Sequence, residues 1–445
     1  MLDIKFIREN VERIRQAAAD KQMACDIDRL CAVDDRRKSL QAEVDRLKQE
    51  QNETGAHIAQ YRNPKSKYYQ TAIAEGKTPA QLAAEAEQLV ASMEQVKARV
   101  KELEEQQRAV LDEFNELMLT VPLPADEDVP VGPDESYNAE LRRWGEPPTF
   151  DFEPKDHAAL GESLGLIDVA RGVKLAGTRS YFLTGAGALL HQAVLRMAFD
   201  FMVYEQGFTP MSVPVLVRDE AMVGTGFFPT GREQAYHMAE DGLYLTGTAE
   251  VALTAYHMGE TLREDALPMR YVAMSTCFRR EAGTYGKDTA GIYRIHQFDK
   301  VEQVVVCRDD KEESKAWQKR MLGYAEEMLK RLELPYRVMH LCTGDIGQKN
   351  ASTMDIETWM PSREGYGETH SASRLYDFQA RRLGLKYRDA RKKTHFCHTL
   401  NNTVVASPRI LIPILECYQN ADGTVTVPKA LRRYMNGMER IEKPS

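Results

Sequence analysis

Two runs of apolar residues recur at alternating steps of four and three along the first quarter of the chain. Val33, Leu40, Val44, Leu47 and Ile58 form the first run, with Arg37, Gln51 and Thr54 in step. Leu82, Ala86, Leu89, Met93, Val96, Val100, Leu103, Val110, Phe114 and Leu117 form the second, with Gln107 in step. A repeat of 3.5 residues keeps one narrow seam turned toward a partner helix, so each run predicts a coiled-coil helix. The positions between are dense in Glu, Lys, Arg and Gln, as solvent-facing coil positions are. A Gly-, Pro- and Lys-containing turn near 62–80 interrupts the pattern, so the two runs read as an antiparallel hairpin. Ahead of them, Ile4, Ile7, Val11 and Ile14 have helical spacing within residues 1–26.

The pattern changes at VPLPADEDVPVGPDES, whose prolines cannot continue a helix. This divides the chain into an N-terminal domain at 1–120, a linker at 121–136 and a second domain at 137–445. In the second domain, helical patterns over 188–206 and 311–334 are mixed with strand-like stretches, LPYRVMHL among them. Residues 277–303, CFRREAGTYGKDTAGIYRIHQFDKVEQ, read as two strands, Cys277–Glu281 and Ile292–Val306. They flank a mobile loop punctuated by Gly283, Gly286 and Gly291. The chain is therefore α+β.

Composition narrows the functional classes. An acidic balance of −8 over 445 residues means that nucleic acid could be met only through a local basic surface. Seven cysteines without a CxxC pair fit reduced thiols better than a disulfide framework. No long apolar run marks a leader or a membrane span, so a soluble cytoplasmic protein is expected. His395, Cys397 and His398 are crowded into four residues without a second separated pair, and no zinc site is assigned to them.

Alternation over 277–303 turns Arg279 and Glu281 to one face of the hairpin. Arg279 offers a permanently charged fork for phosphate or carboxylate, Phe298 an apolar plane for a base, and Glu302 a carboxylate for an amine or hydroxyl. Taken alone, FRRE is better explained by a solvated ion pair. The whole segment, with its FR-x-E-AG opening and HQFDKVE close, resembles motif 2 of class II aminoacyl-tRNA synthetases in the version found in the seryl-tRNA synthetase family. Other stretches resemble that family in chain order. GFTPMSVPVLV with Pro214 is similar to motif 1, Thr248-Ala249-Glu250 to the TxE loop, GYGETHSAS to the ExxS segment, and LNNTVVASPRILIPILE to motif 3.

The resemblance implies a catalytic domain built on a mainly antiparallel β-sheet flanked by helices, behind a two-helix arm that embraces tRNA(Ser). Arg62, Lys65, Lys67 and Lys77 at the turn would supply phosphate contacts, with Arg36, Arg37, Lys38, Lys97, Arg99 and Lys101 along the helices. Periodicity alone favours a dimerisation or spacer coil. The implied reaction joins L-serine to ATP as seryl-adenylate and then transfers serine to tRNA(Ser), with tRNA(Sec) a second candidate, in a homodimer. Arg279, Glu281 and Arg409 are the implied catalytic residues. Thr248, Ala249, Glu250, Arg279, Glu302, Asn401 and Thr403 would hold serine. ATP would meet Arg279, Arg280, Glu281, Ile295, His296, Gln297, Phe298, Glu368, Thr369, His370, Ser371 and Arg409, with Glu368 and Ser371 placing Mg²⁺. Two rivals are a non-catalytic paralogue and a ligase that loads an amino acid onto a carrier protein.

Overall fold

The computed structural model describes residues 1–283 and 291–443. The expected loop residue Gly286 lies outside the described residues. The chain divides into two compact units, one of residues 25–120 and one that joins residues 1–24 to those from 121 onward. The helical segment read at 1–26 is two helices, Ile4–Glu9 and Val11–Asp20, and it groups with the second unit.

The first unit is a pair of long helices, Ile27–Arg62 and Pro79–Thr120. Asp26 caps the first by accepting the Arg29 N–H. At the second, Thr78 and Gln81 form a reciprocal cap. The Thr78 hydroxyl accepts the Gln81 N–H, and the Gln81 side chain accepts the Thr78 N–H. Ion pairs Arg29–Glu113 and Lys48–Glu104 tie early residues of one helix to late residues of the other, so the pair is antiparallel. Val33, Leu40, Val44 and Leu47 are buried against Val100, Leu103 and Val110, on the predicted seam. Arg37 keeps its seam position because its guanidinium lies 4.9 Å from the Phe114 ring centroid and 2.8 Å from the buried Asp34 carboxylate. The region read as a turn contains a further helix, Lys67–Ala74, capped by Ser66.

The second unit is organised by an eight-stranded sheet. Its strands are β1 (Ala139–Trp144), β2 (Thr209–Met211), β3 (Met269–Phe278), β4 (Gln297–Cys307), β5 (Tyr336–His340), β6 (Ser352–Met360), β7 (Gly365–Tyr376) and β8 (His398–Ser407). The order is β1-β5-β6-β7-β8-β4-β3-β2. Every neighbouring pair is antiparallel except β2 with β3. Helices Ala186–Asp200 and Lys311–Arg331 bury Leu190, Val194, Met321 and Leu329 in one core with Val301, Val305, Leu400 and Val404. Val304 and Val306, on the opposite face of β4, pack with Ala249 and Leu253. Burial on both faces explains the unbroken VVV run, which hides the period-two signal there.

Several boundaries differ from the sequence reading. β3 ends at Phe278, and Glu281 has φ 53°, a left-handed conformation that no strand sustains. β4 starts at Gln297 rather than Ile292. The 188–206 helix ends as a π-turn over Phe201–Glu205, and strand β8 runs to Ser407, two residues before Arg409. Pro214 lies between β2 and a short strand, Leu216–Arg218. Among the described residues no helix is long and apolar enough to cross a membrane.

Leu103 is 1% exposed at the centre of the arm seam. Leu103→Ala is expected to cost the arm about 2–4 kcal/mol through the lost transfer energy and the cavity left behind. Urea unfolding of the full chain followed by helical circular dichroism should then show the arm melting earlier than in the wild type.

Candidate active site

β4, β8 and β7 present alternate side chains to one cavity of about 210 Å³. Phe298, Lys300 and Glu302 come from β4, Asn401 and Thr403 from β8, and Thr369, Ser371 and Ser373 from β7, each set spaced by two as a pleated strand requires. Four carboxylates line it, Glu250, Glu281, Glu302 and Glu368, together with four cations, Arg279, Lys300, Lys349 and Arg409.

At the inner end, Lys300 Nζ lies 2.5 Å from Glu302 Oε2, with both side chains under a tenth exposed. Thr403 Oγ1 donates to the same oxygen at 3.4 Å. Burial pushes the Glu302 carboxyl above the usual range, against the pull of Lys300. The Asn401 Nδ2 group, buried beside it, has no hydrogen-bond partner among the described residues. Glu250 Oε1 accepts from Lys349 Nζ at 2.6 Å and from Gln379 Nε2 at 2.8 Å. Thr248 begins the turn into the helix Glu250–Ala255 by accepting the Glu250 N–H.

At the outer end, the Arg279 guanidinium stands 5.1 Å from the Phe298 ring centroid. Glu281 reaches Arg294 at 3.5 Å. Arg409 donates to the Tyr293 and Glu368 carbonyls, both at 3.2 Å, covers the Tyr293 ring at 4.5 Å and lies 3.5 Å from Glu368 Oε2. Glu368 and Ser371 offer one carboxylate and one hydroxyl. Asp355 lies opposite Ser371 in the β6–β7 register, with an unpartnered, buried Oδ1. That sparse oxygen set suits an ion that takes its remaining ligands from phosphate and water, as Mg²⁺ does.

Not every residue read from the sequence reaches this cavity. Ala249 is buried behind it with Leu253. Arg280 is exposed, and its N–H donates to the Gln234 carbonyl. His296 and Gln297 line a separate cavity with Tyr236 and Phe278, and the His296 ring sits 3.0 Å from the Arg279 carbonyl. His370 bonds Thr369 Oγ1 within the sheet, where burial lowers it to about 3 and keeps it neutral. Ile295, Thr369 and the remaining residues do line the cavity. Lys300 and Lys349, with Phe227, Tyr293, Ser373 and Ala406, were not anticipated. Lys300 was findable, because it sits two residues before Glu302 on an alternating strand. Nothing local singles out Lys349.

A model of the class II tRNA synthetase core domain (G, H, P, S and T) matches residues 235–418, and one of the seryl-tRNA synthetase N-terminal domain matches residues 1–124. The serine–tRNA ligase of Deinococcus radiodurans is 45% identical over all of both chains. The chain belongs to the seryl-tRNA synthetase family. The serine–tRNA ligase of Citrifermentans bemidjiense is 42% identical, over 99% of this chain and 100% of that one. Seryl-tRNA synthetase from Pyrococcus horikoshii, solved in complex with ATP, superposes with a TM-score of 0.88 at 35% identity over all of both chains. The cytoplasmic serine–tRNA ligase of Naegleria fowleri, solved with AMP, gives 0.82 at 29% identity.

The synthetase depends on its buried pair. Lys300→Met leaves the Glu302 carboxylate uncompensated and is expected to cost about 3 kcal/mol at pH 7 in urea unfolding. Without Lys300 the folded carboxyl is raised further above its unfolded value, so the native state holds the extra proton. The deficit relative to the wild type is largest above the variant's folded value and is lost as pH falls to the wild type's own raised value. Glu302→Gln in the same chain should recover most of the loss.

Proposed function

We propose that this cavity activates L-serine with ATP and then passes the seryl group to the 3′-terminal ribose of tRNA(Ser). The observation that carries the reading is the charge arrangement. Two carboxylates and a free amide donor stand at the inner end, and arginines stand over an aromatic plane at the outer end.

Serine lies inward. Glu250 and Thr248 receive the ammonium group, while Glu302, Thr403 and Asn401 meet the hydroxyl. A pocket that hydrogen-bonds a hydroxyl rejects alanine, because its buried polar groups would be left unpaired. Arg279 bridges the serine carboxylate and the α-phosphate, cancelling the repulsion between nucleophile and electrophile. The carboxylate oxygen bonds to the α-phosphorus and the bond to the pyrophosphate oxygen breaks. Positioning and fixed charge supply the acceleration, and no protein nucleophile takes part. Glu281 accepts from the adenine amino group, the ring stacks on Phe298, and Arg409 holds the far phosphates. Glu368 and Ser371 would hold Mg²⁺, which supplies charge neutralisation to the triphosphate. The ribose hydroxyl then attacks the seryl carbonyl carbon and AMP leaves.

The two-helix arm binds the tRNA, with exposed Arg62, Lys65 and Lys67 at its tip. The working form is a homodimer in the cytoplasm, joined through the motif-1-like stretch. Leu216 and Met274 near that stretch are about two-fifths exposed on the single chain. tRNA(Sec) is a second acceptor on the same grounds of shape.

Serine-dependent ATP–pyrophosphate exchange without tRNA tests the reading. The wild type should exchange with serine and not alanine, and Arg279→Ala should lose about 10²–10³-fold in kcat/KM. As pH falls through the raised Glu302 value the carboxylate protonates, so serine KM should climb at a higher pH than an ordinary carboxylate dictates. Glu302→Gln should lack that limb. Absence of exchange with any amino acid by a folded protein would refute the assignment.

The arm has its own test. Replacing Arg62, Lys65 and Lys67 together by Gln should leave exchange unchanged while weakening tRNA charging. The salt dependence of tRNA binding should become shallower by about 0.7–0.9 per lost phosphate contact.

A further inference from the structure

At the inner end of the cavity, two donors and two acceptors form a closed square. Lys349 Nζ bonds Glu250 Oε1 at 2.6 Å and the Thr225 carbonyl at 3.2 Å. Gln379 Nε2 bonds the same two oxygens, each at 2.8 Å. The Gln379 amide cannot flip, because its Oε1 accepts the Thr399 hydroxyl at 2.7 Å. The Lys349 ammonium also lies 3.7 Å from the Phe227 ring centroid, and both residues line the cavity. Both donors fall on one oxygen of Glu250, Oε1, which fixes the carboxylate.

Lys349 sits on a loop rather than on the sheet, and that loop is gripped from elsewhere. Lys21, which follows the helix Val11–Asp20, is 4% exposed. Its ammonium reaches the carbonyls of Gly347 at 3.0 Å, Gln348 at 3.5 Å and Asn350 at 2.6 Å, on either side of Lys349. The Gln348 carbonyl also accepts the Leu123 N–H, and the Gln348 side chain donates to the Val121 carbonyl. Burial pulls the Lys21 ammonium down to about 7, against the pull of Asp126.

We propose that Lys349 is a positioning residue for the amino-acid ammonium site, fixing Glu250 through one carboxylate oxygen, and that Lys21 acts through it by clamping the 347–350 loop. The inference rests on the assignment of Glu250 to the serine ammonium group. On this reading the N-terminal helices set the affinity for the amino acid, while the nucleotide end of the cavity is independent of them. A Lys349 that simply stabilised the fold would change melting without separating serine from ATP.

The test is serine-dependent ATP–pyrophosphate exchange by the full chain, with KM for serine, KM for ATP, kcat and the thermal midpoint read for each variant. Lys349→Met should raise serine KM about tenfold or more, with ATP KM within about twofold, and Lys349→Arg should recover part of it. Lys21→Met should raise serine KM in the same direction by a smaller factor, and adding it to Lys349→Met should change little, since both act on one contact. Unchanged serine KM in Lys349→Met, or equal rises in serine and ATP KM, would overturn the proposal. Multiplying effects of the two lysines would overturn the role of Lys21. If Lys21→Met does not fold, Lys21→Arg, whose longer fork misplaces the clamp, takes its place with the same expected direction. Failure of the wild type to exchange with serine would sink the serine assignment and this inference with it. Wild-type exchange with an indifferent Lys349→Met would sink this inference alone.

Discussion

Lys300 and Glu302 meet at 2.5 Å in a place where neither side chain is a tenth exposed. Removing two charges from water costs several kcal/mol for each ion, and only close pairing with further hydrogen bonds returns it. The sheet has to satisfy that condition before it can bind anything. It does so by alternation: two residues apart on β4, the ammonium and carboxylate project to the same side, with Thr403 reaching across from β8. The opposite face of β4 is then free to be apolar, and it packs on the helices of the main core. A charged cavity and a dry core are thus two sides of one strand.

How much of this could be read from the chain differs by element. The arm was nearly all legible, because a coiled-coil seam is a local signal repeated over many turns. Even Arg37, odd at a seam position, kept the step. The tip was misread as a plain turn because the eight residues of Lys67–Ala74 are too few for periodicity to register. In the sheet, strand ends were placed too far into the motif-2 loop. Arg279 and Glu281 do line the cavity, but they do so from beyond the end of β3, where Glu281 adopts a left-handed backbone. Their apparent alternation was a coincidence of spacing.

The site residues divide in the same way. Those carried by a motif with period two on a strand, such as Glu302, Asn401, Thr403 and Ser371, come together. Those added because they adjoin such a residue do not all follow. His296 and Gln297 precede Phe298, but they line the cavity next door, and His370 lies between Thr369 and Ser371 with its ring within the sheet. Lys349 is the opposite case. Its neighbours in sequence say nothing of Glu250, ninety-nine residues away, and only the fold joins them.

Among the described residues, the equal number of carboxylates and cations around the cavity has a consequence for binding. Serine is a zwitterion and can enter a balanced site without changing its net charge, provided that each of its ends finds a preset partner. ATP cannot, because its triphosphate adds several negative charges in a medium that screens them poorly. The outer end therefore needs cations that are not already spent on buried carboxylates. Lys300 and Lys349 are spent, each within 2.6 Å of a glutamate. Arg279 and Arg409 are not committed in this way: one faces an aromatic ring, and the other makes mainly carbonyl contacts with a looser approach to Glu368. The lysines are compact point charges suited to neutralising a carboxylate at short range. The arginines carry several donors and keep some for a ligand while resting on a ring. On the proposed reading, placing lysines inward and arginines outward gives the cavity a rigid end for the amino acid and an adaptable end for the nucleotide.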